Sequence, residues 1–181
     1  MESLTGAKLL NFGASGLTFR KPEFRLDSRS MMALWRASEL LPGGKRIFSR
    51  LAGKMAPYTG TINAQVDELE PGYARLKMAD RKVVRNHLNS IHAVALVNFI
   101  EKTTGMAMVS QFPSGMRGIV VHISVDFVKK ARGQLLAECH APQIKKDSRQ
   151  EYIVVADVKD SQGSIVAKGR ATWLLEPAQF S

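Results

Sequence analysis

The part of the chain that decides the fold is residues 86–101, which read NHLNSIHAVALVNFIE. The second half of this stretch is apolar almost without a break, and Asn89 or Ser90 stands where a helix N-cap is expected. A helix that is apolar on all sides is a buried one. We therefore predict a buried central helix from about residue 90 to Val109. Glu101 lies within it, and a carboxylate there needs a partner, a wet cavity or a raised pKa.

Strand-like runs lie on both sides of this helix in the sequence. Residues 59–68 and 73–79 alternate with a period of two around a Glu-Pro-Gly turn, which predicts a hairpin. Four further runs follow the helix, at residues 118–128, 134–141, 151–159 and 165–175. Their short connections predict a mostly antiparallel sheet. The expected fold is α+β, with an antiparallel sheet wrapped around one long central helix.

The chain divides into two parts by its patterning. Residues 1–57 predict an N-terminal extension with short helices at 30–41 and 45–56, and residues 58–181 carry the strands and the central helix. The second short helix is amphipathic and basic on one side, so it either packs on its own domain or contacts a membrane surface. No internal repeat or linker divides residues 58–181 further.

The composition limits both the cellular compartments and the kinds of site that this protein can have. The single cysteine, Cys139, excludes an internal disulfide and a multi-cysteine zinc site, and the four histidines show no zinc-ligand spacing. We therefore expect no metal and a reducing compartment. No apolar run is long enough to span a bilayer, so we expect no stable membrane insertion. The expected location is the cytoplasm, or the mitochondrial matrix if residues 1–30 are a transit segment.

The net charge is the strongest bias in the composition. A formal charge of +10 favours anionic neighbours, such as nucleic acid, membrane lipid or a phosphorylated ligand. The aromatic side chains are not interleaved with the basic ones as a stacking platform for nucleic acid requires. We therefore expect no nucleic acid partner. A basic rim also suits a ligand such as coenzyme A, although many basic proteins have no anionic partner.

Polar groups on and before the central helix are the candidate site. Glu101 is a candidate general base or nucleophile. The N–H groups at the helix start, those of His92, Ala93 and Val94, carry partial positive charge and can hold an oxyanion. His92 and Glu101 are nine residues apart, which puts them on opposite sides of the helix and about 13 Å apart along its axis. They can share a site only between two chains, so we predict at least a dimer.

Each of these residues also has a plain structural interpretation. Lys102 or Thr104 could satisfy the Glu101 carboxylate, as happens for most helical glutamates. His92 could do no more than begin the helix. Asn86, which could orient a water or a carbonyl group, could instead bond only its own loop.

The spacing of Asn86, His92 and Glu101 resembles that of the hotdog-fold thioesterases of the phenylacetate-pathway (PaaI-like) type, over roughly residues 58–176. Members of that family carry an Asn, a His-Gly-Gly six residues later, and an acidic residue nine residues after the His. Here Ala93 and Val94 replace the two glycines, and the acid is Glu where better-studied members commonly have Asp.

The resemblance implies a hotdog fold, a homodimer or a dimer of dimers, and hydrolysis of an acyl-coenzyme A thioester. Glu101 would act as base or nucleophile, the Ala93 N–H would form the oxyanion hole, and Asn86 would orient the reacting group. No cofactor is implied beyond the coenzyme A of the substrate.

A basic segment after the third predicted strand completes the implied site. It looks like the corresponding strand and turn of the family, and its cations Lys129, Lys130 and Arg132 would meet coenzyme A phosphates, unless they are only a solvated basic turn. The alternative function is a non-catalytic hotdog module that binds acyl-coenzyme A or a fatty acyl ligand without cleaving it.

Overall fold

The structure, a computed structural model, describes residues 27–144 and 148–178. Its helices are α1 (Ser28–Glu39), α2 (Gly44–Met55), α3 (Pro57–Gly60) and α4 (Ala93–Val109). Its strands are β1 (Gln65–Glu70), β2 (Tyr73–Met78), β3 (Met116–Phe127), β4 (Leu135–His140), β5 (Gln150–Lys159) and β6 (Ile165–Pro177). Residues 1–30, the transit segment of the alternative location, lie almost entirely outside the described residues.

The six strands form one antiparallel sheet around α4. The strand order is β1-β2-β4-β5-β6-β3, and every pair is antiparallel. Helix α4 contacts all six strands, and its Phe99, Ile100 and Met108 side chains are fully buried. These contacts confirm the predicted α+β hotdog architecture of a sheet wrapped around one central helix.

Two element boundaries differ from the sequence predictions. The central helix begins at Ala93 with His92 as its N-cap, and not at Asn89 or Ser90, because Ser90 is held in the preceding loop by the side chain of Asn86. The first strand begins at Gln65 and not at residue 59. Pro57 starts the short helix α3 there, since proline suits the first turn of a helix.

The N-terminal helices contribute to the same core as the sheet. Trp35 of α1 and Phe48 of α2 are buried, and their rings meet edge to face with centroids 5.2 Å apart. Lys45 Nζ lies 5.1 Å from the centre of the Trp35 ring. Helices α1 and α2 are therefore fixed on the domain, with α2 packed against β1. No helix in the described part of the chain is long and apolar enough to cross a membrane.

Candidate functional site

A cavity of about 630 Å³ lies between α4 and the N-terminal helices α1, α2 and α3. Its wall is mostly apolar, formed by Met31, Leu34, Phe48, Leu51, Ala52, Met55, Ala56, Gly105, Met106 and Val109. The polar side chains at the wall are those of Lys54, Thr59, Glu101 and Lys102. An apolar cavity with few polar groups is the usual form of a small-molecule site.

Glu101 is the acidic group of this cavity and is half-buried. Burial raises the pKa of its carboxyl group, and the Thr59 hydroxyl and the nearby Lys102 charge oppose that rise without cancelling it. Thr59 Oγ1 donates a hydrogen bond to Glu101 Oε2 at 3.2 Å. A carboxyl group whose pKa is raised toward neutrality is suited to take up and return a proton.

The two residues that could have satisfied Glu101 are engaged elsewhere. Lys102 Nζ donates to Ala64 O at 3.2 Å, and burial lowers the pKa of this amine. Thr104 Oγ1 donates to the backbone oxygen of Glu101 and accepts from Trp173 Nε1. The Glu101 carboxylate thus forms no ion pair with the residues that the structure describes.

Asn98, three residues before Glu101 on the same helix, carries an unsatisfied acceptor. Its Nδ2 donates to Tyr58 O at 3.2 Å, while its Oδ1 is buried and is the one buried side-chain nitrogen or oxygen without a partner among the described residues. Residues three apart are neighbours on a helix surface, so Asn98 and Glu101 are adjacent. A buried acceptor left empty costs free energy, which favours a bound water or ligand atom at this point.

Helix α3 holds both of these contacts, because Tyr58 and Thr59 belong to it. A Cβ atom on Gly60 would lie 2.5 Å from the backbone oxygen of Gly53, so α3 and α2 meet through their backbones. Thr59 was not among the predicted site residues, because the sequence pattern placed it in the first strand. The signal for it was Pro57, which favours a new helical turn.

At the start of α4, one of the three predicted N–H donors remains free. The N–H of His92 donates to Val84 O at 2.8 Å, and that of Val94 donates to His92 Nδ1 at 3.1 Å. The Ala93 N–H has no acceptor among the described residues, and Ala93 is exposed. The expectation of three outward N–H groups was therefore wrong for two of them, since the His92 side chain caps its own helix. Of these three groups, the Ala93 N–H remains as the candidate oxyanion donor.

Asn86 shapes the loop that leads to this helix start. Its Oδ1 accepts hydrogen bonds from Leu88 N at 2.9 Å and from Ser90 N and Oγ, both at 3.2 Å. The carbonyl end of the side chain is thus occupied by its own loop. Only the Nδ2 group, which makes no hydrogen bond within the described chain, is left to contact a substrate.

The basic segment lies against the same loop. Ile91 N donates to Ala131 O at 2.8 Å, and Arg132 Nε donates to Asn89 O at 3.3 Å. Lys129 Nζ pairs with Asp160 Oδ2 at 2.7 Å, so its charge is largely neutralised. Lys130 and Arg132 are exposed and carry the positive charge of this surface.

Within one chain the candidate residues form two separate groups. Asn86, His92 and Ala93 lie together at the start of α4, beside the basic segment. Glu101 lies eight residues after Ala93, about 12 Å farther along the helix axis, and faces the cavity. The chain therefore brings the donor and the carboxylate onto one helix but not into one site.

This fold and this helix place the chain in the hotdog thioesterase superfamily. Residues 44–175 match the family described as a domain of unknown function (DUF4442), and the chain belongs to that family. No curated protein sequence matches the chain as a relative.

Solved structures share the fold over most of the chain. A structural-genomics protein whose name states no activity is 28% identical, with a TM-score of 0.70 over 82% of this chain and 98% of its own. The Pseudomonas aeruginosa protein PA5026, named as a probable thioesterase, is 25% identical, with a TM-score of 0.66 over 76% of this chain and 97% of its own. A thioesterase family protein from Silicibacter pomeroyi is 19% identical, with a TM-score of 0.62 over 72% and 96%, and this likeness shows the fold alone.

Proposed function

We propose that this protein is an acyl-coenzyme A thioesterase whose site is shared by two chains, with the Ala93 N–H from one protomer and Glu101 from the other. The observation that carries the proposal is the Glu101 carboxylate, which is half-buried, without an ion pair among the described residues, and set in the wall of an apolar cavity. The cavity would receive the acyl chain, and the exposed Lys130 and Arg132 would meet the phosphates of coenzyme A.

The proposed reaction is hydrolysis by an activated water. Glu101 takes a proton from a water that also donates to Asn98 Oδ1, and the water oxygen attacks the thioester carbonyl carbon. The Ala93 N–H donates to the resulting oxyanion. When the tetrahedral intermediate collapses, the C–S bond breaks and the protonated Glu101 returns its proton to the departing thiolate. The products are a carboxylic acid and coenzyme A. The empty Asn98 acceptor favours Glu101 as base over direct attack, because it supplies a second contact for a water.

The free edge of the sheet supports a shared site. Among the described residues strand β3 pairs with β6 alone, so its other edge presents backbone groups without a partner there, together with the exposed side chains of Ile119 and Val121. Such an edge is a template for pairing with another chain. Val120, Ile123 and Val125 of the same strand are only partly buried in the single chain. Pairing of two β3 strands would cover this surface and set two α4 helices side by side.

The test is thiol release from a panel of short, long and aromatic acyl-coenzyme A thioesters, measured for the wild type and for Glu101→Gln. We expect the substitution to lower kcat by about a hundredfold or more, because a general base contributes about 10² to 10⁴ in rate. Glu151→Gln, on the exposed start of β5, is the matched control and should behave as the wild type.

Binding is measured separately, through the rise in melting temperature with a non-hydrolysable acyl-coenzyme A analogue. Glu101→Gln should retain that rise. If neither protein releases thiol while the analogue still stabilises both, the non-catalytic binding module is the correct function. That alternative has one structural support, since the exposed Val94 side chain lies beside the candidate donor of Ala93, where glycine would leave more room.

A further inference from the structure

Helix α2 carries an apolar stripe that the core does not use. Ile47, Leu51 and Met55 are 55%, 49% and 50% exposed, and their four-residue spacing aligns them along one side of the helix. Phe48, on the side that faces the domain, is only 5% exposed. We call the solvent-facing side of this helix, with Arg46, Ile47, Arg50, Leu51, Lys54 and Met55, the α2 face.

The charge of this region has one sign. Residues 40–66 contain no Asp or Glu and include four cations. Lys45 is partly engaged, by Asp67 O and by Glu39 at 3.7 Å. Arg46, Arg50 and Lys54 are exposed and form no ion pair with the described residues. The α2 face is thus an apolar stripe flanked by basic side chains, the pattern of helices that lie in the interface of an anionic bilayer.

The charge also argues against a second copy of the chain as the occupant. Two α2 faces set against each other would bring these cations together, and like charges at close range repel. The sheet topology supports the same conclusion, since α2 packs on β1, at the opposite end of the strand order from β3. Pairing through β3 therefore does not require the α2 face to be covered.

The α2 face also borders the cavity. Leu51, Lys54 and Met55 belong both to the α2 face and to the cavity wall. Leu34 of α1 lines the same cavity and is 45% exposed. A surface laid on this face would therefore meet the cavity opening. This continuity makes a lipid surface a better match than a soluble protein partner.

We propose that the α2 face binds the surface of an anionic phospholipid bilayer, with α2 lying in the interface and the cavity mouth turned toward the lipid. Ile47, Leu51 and Met55 enter the headgroup region, and Arg46, Arg50 and Lys54 contact the lipid phosphates. The binding does not depend on the thioesterase activity, so either can fail without the other.

The test is co-sedimentation of the full chain with vesicles of phosphatidylcholine alone and of phosphatidylcholine with phosphatidylglycerol. We expect binding to the mixed vesicles that weakens with added salt, because the attraction is screened. The double variant Arg46→Gln/Arg50→Gln should lower the partition coefficient about 25-fold, since each basic residue near an anionic surface contributes about fivefold. Ile47→Ser should also weaken binding. Lys168→Gln/Arg170→Gln, which removes two exposed charges from β6, is the matched control and should bind as the wild type.

Three results would overturn the proposal. Equal binding to both vesicle types would mean that anionic lipid is not recognised. Equal losses in the α2 and β6 double variants would mean that binding follows net charge and not the α2 face. A lower oligomeric mass for Ile47→Ser in solution, without vesicles, would mean that the face is a contact between protein chains.

Discussion

The reactivity of Glu101 depends on the balance between burial, one hydroxyl group and the nearby Lys102 charge. Burial raises the pKa of the carboxyl group, and the hydrogen bond from Thr59 lowers it. Thr59→Val keeps the shape of the side chain but removes the donor, so the pKa of Glu101 should rise further. Because the base must be ionised to act, the acid limb of the kcat/KM profile should move to higher pH. Thr59→Ser should restore the wild-type profile.

The pH profile separates this role from a structural one. A variant that only loosens α3 would lower activity at every pH without moving the acid limb. Thr172→Val, a change of the same kind on β6, is the control and should leave the profile unchanged. If the acid limb of Thr59→Val stays where it is in the wild type, Glu101 is not the base that limits activity at low pH.

The Ala93 N–H can be removed with little disturbance of the backbone. Ala93 is the first residue of α4, where proline is well tolerated. His92 before it has φ −64° and ψ 140°, the extended conformation that a residue before proline prefers. Ala93→Pro should therefore fold normally and lower kcat by about 10² to 10³, the usual effect of losing one oxyanion donor.

Ala93→Ser is the matched variant for this prediction, because it changes the side chain and keeps the N–H. Thiol release by the two variants, with melting temperatures as the check on folding, gives the comparison. Equal rates for Ala93→Pro and Ala93→Ser would place the oxyanion donor elsewhere in the protein.

The sequence predicted a site residue only where the residue stands out from its neighbours along the chain. Glu101 stood out because a carboxylate is conspicuous on an apolar helix. Thr59 and the empty acceptor of Asn98 could not be found in the same way, since both depend on how α3 packs against α4. The sequence predicted free N–H groups at His92, Ala93 and Val94 alike, and the structure was needed to show that Val84 O and the His92 side chain occupy two of them.

At the scale of elements, the cavity lies where α1 and α2, which pack against β1, and α3, which packs against α4, leave a space beside α4. If this cavity receives the acyl chain, its depth sets the longest chain that fits. Ala52 of α2 lies in the wall, and Ala52→Phe would fill part of the space. Each methylene excluded from an apolar site weakens binding about fourfold, so KM should rise steeply for long acyl chains and little for short ones.

The control for chain length is Ala33→Phe, an equal enlargement at an exposed position on α1. The measurement is KM across a series of saturated acyl-coenzyme A thioesters. A uniform change of KM across the series for Ala52→Phe would show that the acyl chain does not occupy this cavity.

Most element positions followed from periodicity, and the exceptions have local causes. The strands from β2 onward match their predicted ranges to within two residues, because alternation and turn residues mark their ends. The cavity itself was not predictable, because the sequence pattern of the apolar residues in α1 and α2 is the same whether they line a cavity or fill a closed core.

At the scale of the whole molecule, one edge strand of the sheet is covered and the other is open. Strand β1 is covered by α2, whereas β3 is long and has no partner on its outer edge within the described part of the chain. The sequence predicted a dimer from the separation of His92 and Glu101 along one helix. The dimer remains a prediction, and the open β3 edge is the surface through which two chains could pair.

A shared site makes a distinctive prediction for dimers of two different chains. Ala93→Pro and Glu101→Gln chains, co-expressed with different tags and purified through both, form a dimer in which one site keeps the intact donor and the intact carboxylate. Each parent variant should be nearly inactive, and this mixed dimer should recover about half of the wild-type activity, because one of its two sites is complete.

The opposite arrangement is the control and gives the opposite result. In the control dimer one chain carries both substitutions and its partner is wild type. If the site is shared, one site then lacks the Ala93 N–H and the other lacks the Glu101 carboxylate, so the dimer is inactive. If instead each chain holds a complete site of its own, the first dimer is inactive and the second keeps about half of the activity. The pair of measurements therefore distinguishes a site between chains from a site within one chain, whatever the acyl group turns out to be.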